Sequence, residues 1–186
     1  MEVIQQYFQY NSVVVLTYFL ISLVALILNV ITKGKTNKAL FSCYRSSPLN
    51  PLTYVRYVTH VIGHSDWQHF FNNFTFILLI GPMIEEKYGS IHLLIMMLTT
   101  AIITGLFNTA FSKNKAILGA SGIVFMMISL SAFVNMETKK VPLTLILIFL
   151  FFIVNEIISL LKKDDHISHT GHIIGAICGI VFGFII

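Results

Sequence analysis

The chain has 186 residues, of which 56% are hydrophobic and only 11% charged, and its mean hydropathy is +0.83. Because a soluble domain carries about 25% charged residues, this composition excludes an ordinary soluble protein and predicts one membrane domain over residues 1–186. The net charge of +4 is small and no basic stripe is interleaved with aromatic residues. Nucleic acid is therefore not an expected partner, whereas the lipid bilayer is.

Apolar runs of about 20 residues, the length that crosses a bilayer, recur along the chain and predict helices, since lipid requires internally bonded backbone. Residues 1–12 hold no Lys or Arg and no small-residue cleavage site follows the first run, so we expect a retained anchor, not a signal peptide. The predicted fold class is all-α, a polytopic membrane protein with six transmembrane helices. The predicted spans are residues 13–32, 67–85, 91–111, 117–134, 141–161 and 168–186.

A long connection, residues 33–66, separates the first two spans. Loops of this length are uncommon in compact proteins and tend to be functional. Two apolar patches, residues 39–41 and 52–58, predict that this first loop packs on the bundle or dips into the membrane interface. Cys43 in the loop and Cys178 in the last span are far apart and are expected to be free thiols.

The phrase Gly119-Ala120-Ser121-Gly122 stands near the start of the fourth span. A helix N-terminus presents unpaired backbone N–H groups, so a serine there has donors beside its hydroxyl for a developing oxyanion. The two glycines let the backbone turn tightly and let a substrate approach. Small residues also serve close helix packing in membranes, so this phrase alone leaves both interpretations open.

His172 lies about one turn into the sixth span, which runs in the same direction as the fourth. Gly175, Gly179 and Gly183 follow at helical spacing and predict a groove for close approach of another helix, on the face that carries His172. A neutral imidazole there can take the proton of the Ser121 hydroxyl, as a general base does. The alternative to this catalytic role is a histidine whose ring reaches water at the membrane interface.

His69 and Asn73 begin the second span four residues apart, and thus lie on one helix face. Hydrogen-bond donors that face a developing oxyanion can contribute roughly 3–4 kcal/mol. A structural polar pair between helices contributes nearer to about 0.6 kcal/mol, and spacing alone leaves both roles open. His60 and His92 are expected at the membrane interface.

Taken together, these phrases resemble the rhomboid family of intramembrane serine proteases. The resemblance extends over residues 13–186, in the family's order and across the six predicted spans, so the bundle is expected to be rhomboid-like. The matching features are Arg56, His64 and Trp67, His69-x-x-x-Asn73, Gly81-x-x-x-Glu85-x-x-x-Gly89, Gly119-x-Ser121-Gly122 and His172-x-x-Gly175-x-x-x-Gly179.

The resemblance implies a serine endopeptidase of the cell membrane that cleaves transmembrane segments of membrane proteins, with Ser121 as nucleophile and His172 as general base. His69, Asn73 and the Ser121 backbone N–H would form the oxyanion hole. No cofactor and no metal are implied. The family often has a tyrosine where Phe125 stands, and a phenyl ring can still pack on the imidazole.

The resemblance also implies that Glu85 ties the cytoplasmic ends of helices together and that the first loop is external. The charge count favours the opposite orientation. Nine Lys and Arg lie on the connections after the first, third and fifth spans, and three on those after the second and fourth. We follow the resemblance, because the motifs fix the fold.

Two other classes of function compete with a protease. A catalytically inactive rhomboid-like protein that binds membrane helices is the main alternative, although inactive relatives typically lack the serine or the histidine. A metal or solute transporter would use His166, His169 and His172. Their spacing spreads them over an arc of about 120° and nearly two helical turns, and no His-Glu-x-x-His motif is present, so this class of site is not expected.

Overall fold

The computed structural model describes residues 10–111, 115–135, 140–141, 143–161 and 169–186. Within these ranges every regular element is a helix, and the described residues add only one isolated bridge, between Cys43 and Ile117, which confirms the all-α class. The helices are α1 (Val13–Ile31), a short π-helix (Asn37–Phe41), α2 (Leu52–Thr59), α3 (Trp67–Tyr88), α4 (Ser90–Phe111), α5 (Ser121–Ser131), α6 (Leu143–Leu161) and α7 (His169–Ile185).

A helix lies at each predicted span, and the bounds differ most at the fourth, where α5 begins at Ser121 instead of residue 117 and has only 11 residues. Residues 115–120, the approach segment, are not helical. Cys43 and Ile117 exchange both backbone hydrogen bonds, each at 2.9 Å. Since this pairing uses the N–H and the carbonyl of Ile117, the helix begins only after it.

Two helices of the described part, α1 and α4, are long and apolar enough to cross a membrane. Ser121–Ser131 and Thr170–Ile185 are apolar but shorter. The 22 residues of α3 include polar side chains near both ends, which lower its hydropathy. Six membrane crossings therefore stay a prediction.

The first loop is folded against the bundle, as its apolar patches predicted. The Arg56 guanidinium is buried, donates from Nε and Nη2 to the Ala39 carbonyl at 2.9 and 2.8 Å, and lies over the Tyr44 ring. The Tyr18 hydroxyl of α1 donates to the Val61 carbonyl at 2.6 Å. These bonds tie the loop to itself and to the first helix.

Glu85 joins the ends of three helices. Its buried carboxylate accepts hydrogen bonds from the backbone N–H groups of Val14 and Val15, both at 3.0 Å, and from the Ser90 hydroxyl at 2.6 Å. The first N–H groups of a helix have no intrahelical partner, so this carboxylate caps α1 and complements its dipole. The tie between helix ends that the resemblance implied is present.

The centre of the bundle is occupied by α5, which contacts α3, α4, α6 and α7. Large aliphatic, aromatic and methionine side chains from three helices are fully buried around it, among them Phe70, Phe74, Ile77, Leu93, Met96, Ile123, Met126 and Leu130. The outer faces of α1 and α4 carry exposed large apolar side chains, as faces in contact with lipid do. The central position of α5 brings its first residue, Ser121, among the other helices.

Candidate active site

Ser121 is half-buried and is the first residue of α5, after Ala120 at the N-cap. The first backbone bond of the helix runs from the Val124 N–H to the Ala120 carbonyl, at 2.9 Å. The N–H groups of residues 121–123 therefore have no carbonyl of the same helix to bond. The hydroxyl of Ser121 thus lies beside the positive end of the α5 dipole, as the sequence predicted.

His69 and Asn73, on the first two turns of α3, lie against Gly119. The φ angle of Gly119 is 113°, and a Cβ at this position would be 2.5 Å from the His69 ring and 3.7 Å from Asn73 Nδ2. Glycine is required here by both the backbone conformation and the space. Asn73 Nδ2 is buried and has no hydrogen-bond partner among the described residues. A developing oxyanion is the kind of acceptor that would satisfy such a donor.

Asp66 and Ser65 fix the start of α3 and the ring of His69. Asp66 accepts from the His69 backbone N–H at 2.9 Å and from the Ser65 hydroxyl at 2.6 Å. Because Ser65 gives its proton to the carboxylate, its oxygen accepts from His69 Nδ1, which is 3.1 Å away. A neutral His69 then has no proton on Nε2, which faces Gly119, and only the imidazolium form can donate there.

Asn108 of α4 holds the beginning of the approach segment. Its buried amide donates to the Lys115 carbonyl at 3.0 Å and to the Cys43 carbonyl at 3.2 Å. One side chain therefore bonds both strands of the bridge between Cys43 and Ile117. The sequence pattern does not predict this role for Asn108, because its partner Cys43 lies 65 residues away.

His60 and His64 hold the end of the approach segment. The His60 carbonyl accepts from the Gly119 N–H at 2.9 Å, and His64 Nε2 accepts from the Ala120 N–H at 3.4 Å. The His60 ring is also buried, with Nε2 3.3 Å from the Thr104 hydroxyl. His60 therefore has partners inside the protein, and its predicted depth at the membrane interface stays a prediction.

Both of these histidines are held neutral. Burial lowers the pKa of His60 to about 4, and burial together with the neighbouring His69 lowers the pKa of His64 to about 3. The Nδ1 of His64 is 3.1 Å from the Ile62 carbonyl, which can only accept, so the single proton lies on Nδ1. The lone pair on Nε2 is thereby left for the Ala120 N–H.

Downstream of Ser121, α7 packs directly on the backbone of α5. A Cβ on Gly175 would overlap the carbonyl of Gly122, and one on Gly179 would overlap the carbonyl of Met126. The glycine groove that the sequence predicted is present, and the helix that occupies it is α5. Any larger residue at these two positions of α7 would push the helices apart.

His172 lies at this seam between α5 and α7. Its ring is stacked on Phe125, with 4.4 Å between the ring centroids and an interplanar angle of 26°. Phe125 follows Ser121 by four residues, so the two share one face of α5. The Gly171 carbonyl is 3.5 Å from the position that a Cβ on Gly122 would take. His172 therefore lies against the face of α5 that carries Ser121, and the packing predicted for Phe125 is confirmed.

Several expectations concern metals, thiols and the remaining histidines. Among the described residues, no group of three or more His, Cys, Asp or Glu could hold a metal ion. Cys43 and Cys178 are buried free thiols. His166 and the side chain of His169 lie outside the described residues.

Comparison with known proteins gives the family. The rhomboid-domain family model matches residues 51–186. Rhomboid-like protein 11, chloroplastic, from Arabidopsis thaliana is 25% identical over 140 residues, which is 68% of this chain and 50% of that protein. Rhomboid protease GlpG from Haemophilus influenzae is 29% identical over 133 residues, which is 70% of this chain and 68% of that protein. The match thus spans half the length of the first relative. Because the family model covers well over half of the chain, this protein belongs to the rhomboid family and is an integral membrane protein.

Proposed function

We propose that this protein is an intramembrane serine endopeptidase that cleaves transmembrane segments of other membrane proteins with a dyad of Ser121 and His172. One observation carries the proposal: the His172 ring is stacked on Phe125, on the same face of α5 as Ser121. A nucleophilic serine needs a base within hydrogen-bonding reach, and this packing supports one. The relative named a protease supports the same class of reaction.

In the proposed reaction, His172 removes the proton of the Ser121 hydroxyl as the oxygen attacks the carbonyl carbon of the scissile peptide bond. The imidazolium then gives that proton to the leaving amine, so a serine ester remains on the protein. Water, activated by His172 in the same way, hydrolyses the ester. The dyad uses no third acidic group.

The negative charge that develops on the substrate oxygen would be stabilised by Asn73 Nδ2 and by the unpaired N–H groups at the start of α5. Asn73 supports this role because its buried amide has an unused proton. His69 would add a donor only as an imidazolium, since its neutral form keeps its proton on Nδ1. In the neutral form, its part is to pack on Gly119 and position the approach segment.

We further propose six crossings of the cell membrane within one domain, residues 1–186, with the first loop external. Tags at the two termini, tested for access by a membrane-impermeant reagent in intact cells, should be labelled only after the membrane is opened. Labelling in intact cells would show the opposite orientation, which is the one that the count of basic residues favours.

The proposed nucleophile can be tested by labelling with a serine-directed fluorophosphonate. Wild-type protein should be labelled, Ser121→Ala should not, and His172→Ala should react far more slowly because no base activates the hydroxyl. Ser131→Ala is the matched control on the same helix, since that hydroxyl donates to the Ile128 carbonyl at 2.8 Å. Equal labelling of wild type and Ser121→Ala would contradict the proposal.

Cleavage of a model transmembrane substrate in the same reconstituted samples separates the protease from the inactive alternative. A protease gives two fragments that are absent with Ser121→Ala. A rhomboid-like protein that only binds helices would retain the intact substrate, in equal amounts for wild type and Ser121→Ala. That second outcome would replace proteolysis by helix binding as the function of this protein.

A further inference from the structure

The start of α3 carries a chain of hydrogen bonds that ends on the ring of His69. One carboxylate oxygen of Asp66, Oδ1, accepts from the His69 backbone N–H at 2.9 Å, and the other, Oδ2, accepts from the Ser65 hydroxyl at 2.6 Å. The Ser65 oxygen is in turn 3.1 Å from His69 Nδ1. The helix cap and the imidazole are therefore joined by one continuous path. The proposed proteolysis uses neither Ser65 nor Asp66 as a reacting group.

The direction of this chain is set by the carboxylate. An ionised carboxylate can only accept, so the single Ser65 proton points to Asp66. The Ser65 oxygen is then an acceptor towards the ring, and the proton of the neutral His69 must lie on Nδ1. Its Nε2 is left with a lone pair and lies beside Gly119, where an added Cβ would be 2.5 Å from it. Asp66 thus determines, through Ser65, what His69 presents to the candidate active site.

The neighbouring His64 does not compete for the His69 proton. The two rings pack edge to face, with 5.1 Å between their centroids and an interplanar angle of 68°. However, His64 Nδ1 is 3.1 Å from the Ile62 carbonyl, and its Nε2 accepts from the Ala120 N–H. Both nitrogens of His64 are therefore turned to other partners, and the position of the His69 proton depends on the chain at the start of α3.

We propose that Ser65 and Asp66 are positioning residues that hold the proton of the neutral His69 on Nδ1 and keep a lone pair on Nε2 towards the approach segment. A lone pair repels a developing oxyanion, whereas an N–H stabilises it. The neutral ring therefore withholds a donor, and Asn73 and the start of α5 supply the donors in its place. This consequence for catalysis rests on the proposed function, whereas the position of the proton does not.

The substitution Asp66→Asn should reverse the chain. Asparagine is as good a helix N-cap as aspartate, so its oxygen should keep the bond to the His69 backbone N–H. The amide nitrogen then takes the place of Oδ2 and donates to the Ser65 oxygen, which leaves the Ser65 hydroxyl to donate to His69 Nδ1. A ring nitrogen that accepts carries no proton, so the proton of the neutral ring should move to Nε2.

The position of the proton can be measured by nitrogen NMR of the full-length protein labelled at histidine, a readout that is independent of proteolysis. Protonated and unprotonated ring nitrogens resonate far apart, and the His69 signals are those that disappear in His69→Gln. Spectra are recorded at about pH 8, above the ordinary histidine pKa of about 6.5, so that the compared rings are neutral. Wild type should carry the proton on Nδ1, and Asp66→Asn should carry it on Nε2. A wild-type proton on Nε2, or the same tautomer in both proteins, would overturn the proposal.

Variants of Ser65 test whether its hydroxyl carries the effect. Ser65→Thr keeps a hydroxyl and should give the wild-type tautomer, whereas Ser65→Ala should give a mixture of both tautomers because Nδ1 loses its partner. The double variant Ser65→Ala with Asp66→Asn should give a mixture for the same reason. Complete protonation of Nε2 in the double variant would show that the lost charge of Asp66 moves the proton. That result, or the wild-type tautomer in Ser65→Ala, would refute the role of Ser65.

Fluorophosphonate labelling of Ser121 in the same samples measures the consequence for the site. Asp66→Asn should be labelled about tenfold faster than wild type at this pH, below the roughly 10²–10³-fold that a well-aligned oxyanion donor supplies. A reversed tautomer with an unchanged rate would overturn the effect of His69 on the oxyanion. Absence of labelling in every variant would instead contradict the proposed nucleophile, and the spectra would still decide the position of the proton.

Discussion

The two flanks of Ser121 are held by different physical means. Upstream, the approach segment is bound by hydrogen bonds from the first loop and from Asn108 of α4. Downstream, α5 is held against α7 by shape, through glycines that let the two backbones touch. Hydrogen bonds fix the direction of a non-helical segment, whereas close packing fixes the separation of two helices. Because Ser121 follows the approach segment and His172 lies on α7, their relative position depends on both the hydrogen bonds and the close packing.

We call the hydrogen-bonded approach segment, residues 115–120, the polar flank and the contact of α5 with α7 the packed flank. The two should lose stability in different ways. A polar flank fails when a donor is removed or when a buried group is forced to take a proton. A packed flank fails when volume is added, because backbone cannot move aside as a flexible side chain can. Substitutions can therefore weaken one flank and leave the other intact.

The largest effect is expected at the packed flank, from Gly175→Ala. The added Cβ would overlap the Gly122 carbonyl, so the free energy of unfolding should fall by about 3 kcal/mol, the upper end for overpacking. Gly122→Ala is the matched control across the same contact, since its Cβ would meet Thr104 Cγ2 at 3.4 Å and the Gly171 carbonyl at 3.5 Å, ordinary distances. Thermal unfolding in detergent measures both variants. Equal destabilisation would show that the contact is not specific to the α7 backbone.

At the polar flank, Asn108→Leu should cost about 2 kcal/mol, because the carbonyls of Cys43 and Lys115 lose their shared donor while the volume stays similar. The approach segment should also exchange its backbone amides faster in hydrogen-exchange mass spectrometry. Asn72→Leu, on an exposed part of α3, is the control and should leave that exchange unchanged. Unchanged protection in Asn108→Leu would mean that the backbone pairing alone holds the segment.

The polar flank should also weaken in acid. His60 and His64 have folded pKa values of about 4 and about 3, below the ordinary value of 6.5, so the unfolded chain takes up protons more readily. Their contribution is complete above pH 6.5 and is lost as the pH falls towards these values, by up to about 1.4 kcal/mol per pH unit for each histidine. The unfolding midpoint measured against pH tests this.

His64→Gln separates these two histidines from acid effects elsewhere. A glutamine carbonyl can still accept from the Ala120 N–H but takes no proton, so the slope of stability against pH between 6.5 and 4 should be smaller than in wild type. His92→Gln, at an exposed histidine of α4, should leave the slope unchanged. Identical slopes in wild type and His64→Gln would exclude His64 as a source of the acid sensitivity.

The smallest effect on stability is expected from Phe125→Leu at the packed flank. It removes the ring stacked on His172 and should cost about 1 kcal/mol. Phe125→Tyr keeps the stacked ring and should match wild type in stability. On the proposed function, Leu should slow fluorophosphonate labelling of Ser121 because the imidazole is less well positioned, and Tyr should not. Equal labelling rates in all three would show that the ring does not position the base.

The sequence predicted those parts of the fold and site that depend on short-range pattern. Apolar runs predicted the long helices, and the spacing of Gly175 and Gly179 predicted the groove in which α5 packs. A serine at a helix N-terminus was recognisable for the same reason. Each of these features depends on residues within a few turns of one helix, so one sequence is enough to predict them.

The polar flank was less predictable, because its bonds join residues that are far apart in the chain. Asn108 bonds a carbonyl 65 residues away, and the Thr104 hydroxyl meets a histidine 44 residues away. The true start of α5 was missed for the same reason, since the pairing partner of Ile117 is Cys43 in the first loop. No local pattern distinguishes such residues from ordinary polar residues in an apolar helix.

The carboxylate cap on α1 has a consequence for the order of assembly. Glu85 lies 70 and 71 residues after the two amides that it binds, so α1 leaves the ribosome long before its cap is synthesised. Until α3 arrives, those amides must be solvated by water or lipid headgroups, because hydrocarbon offers them no partner. The beginning of the first helix should therefore stay at the membrane surface during translation and take its final depth only when the later helix has inserted.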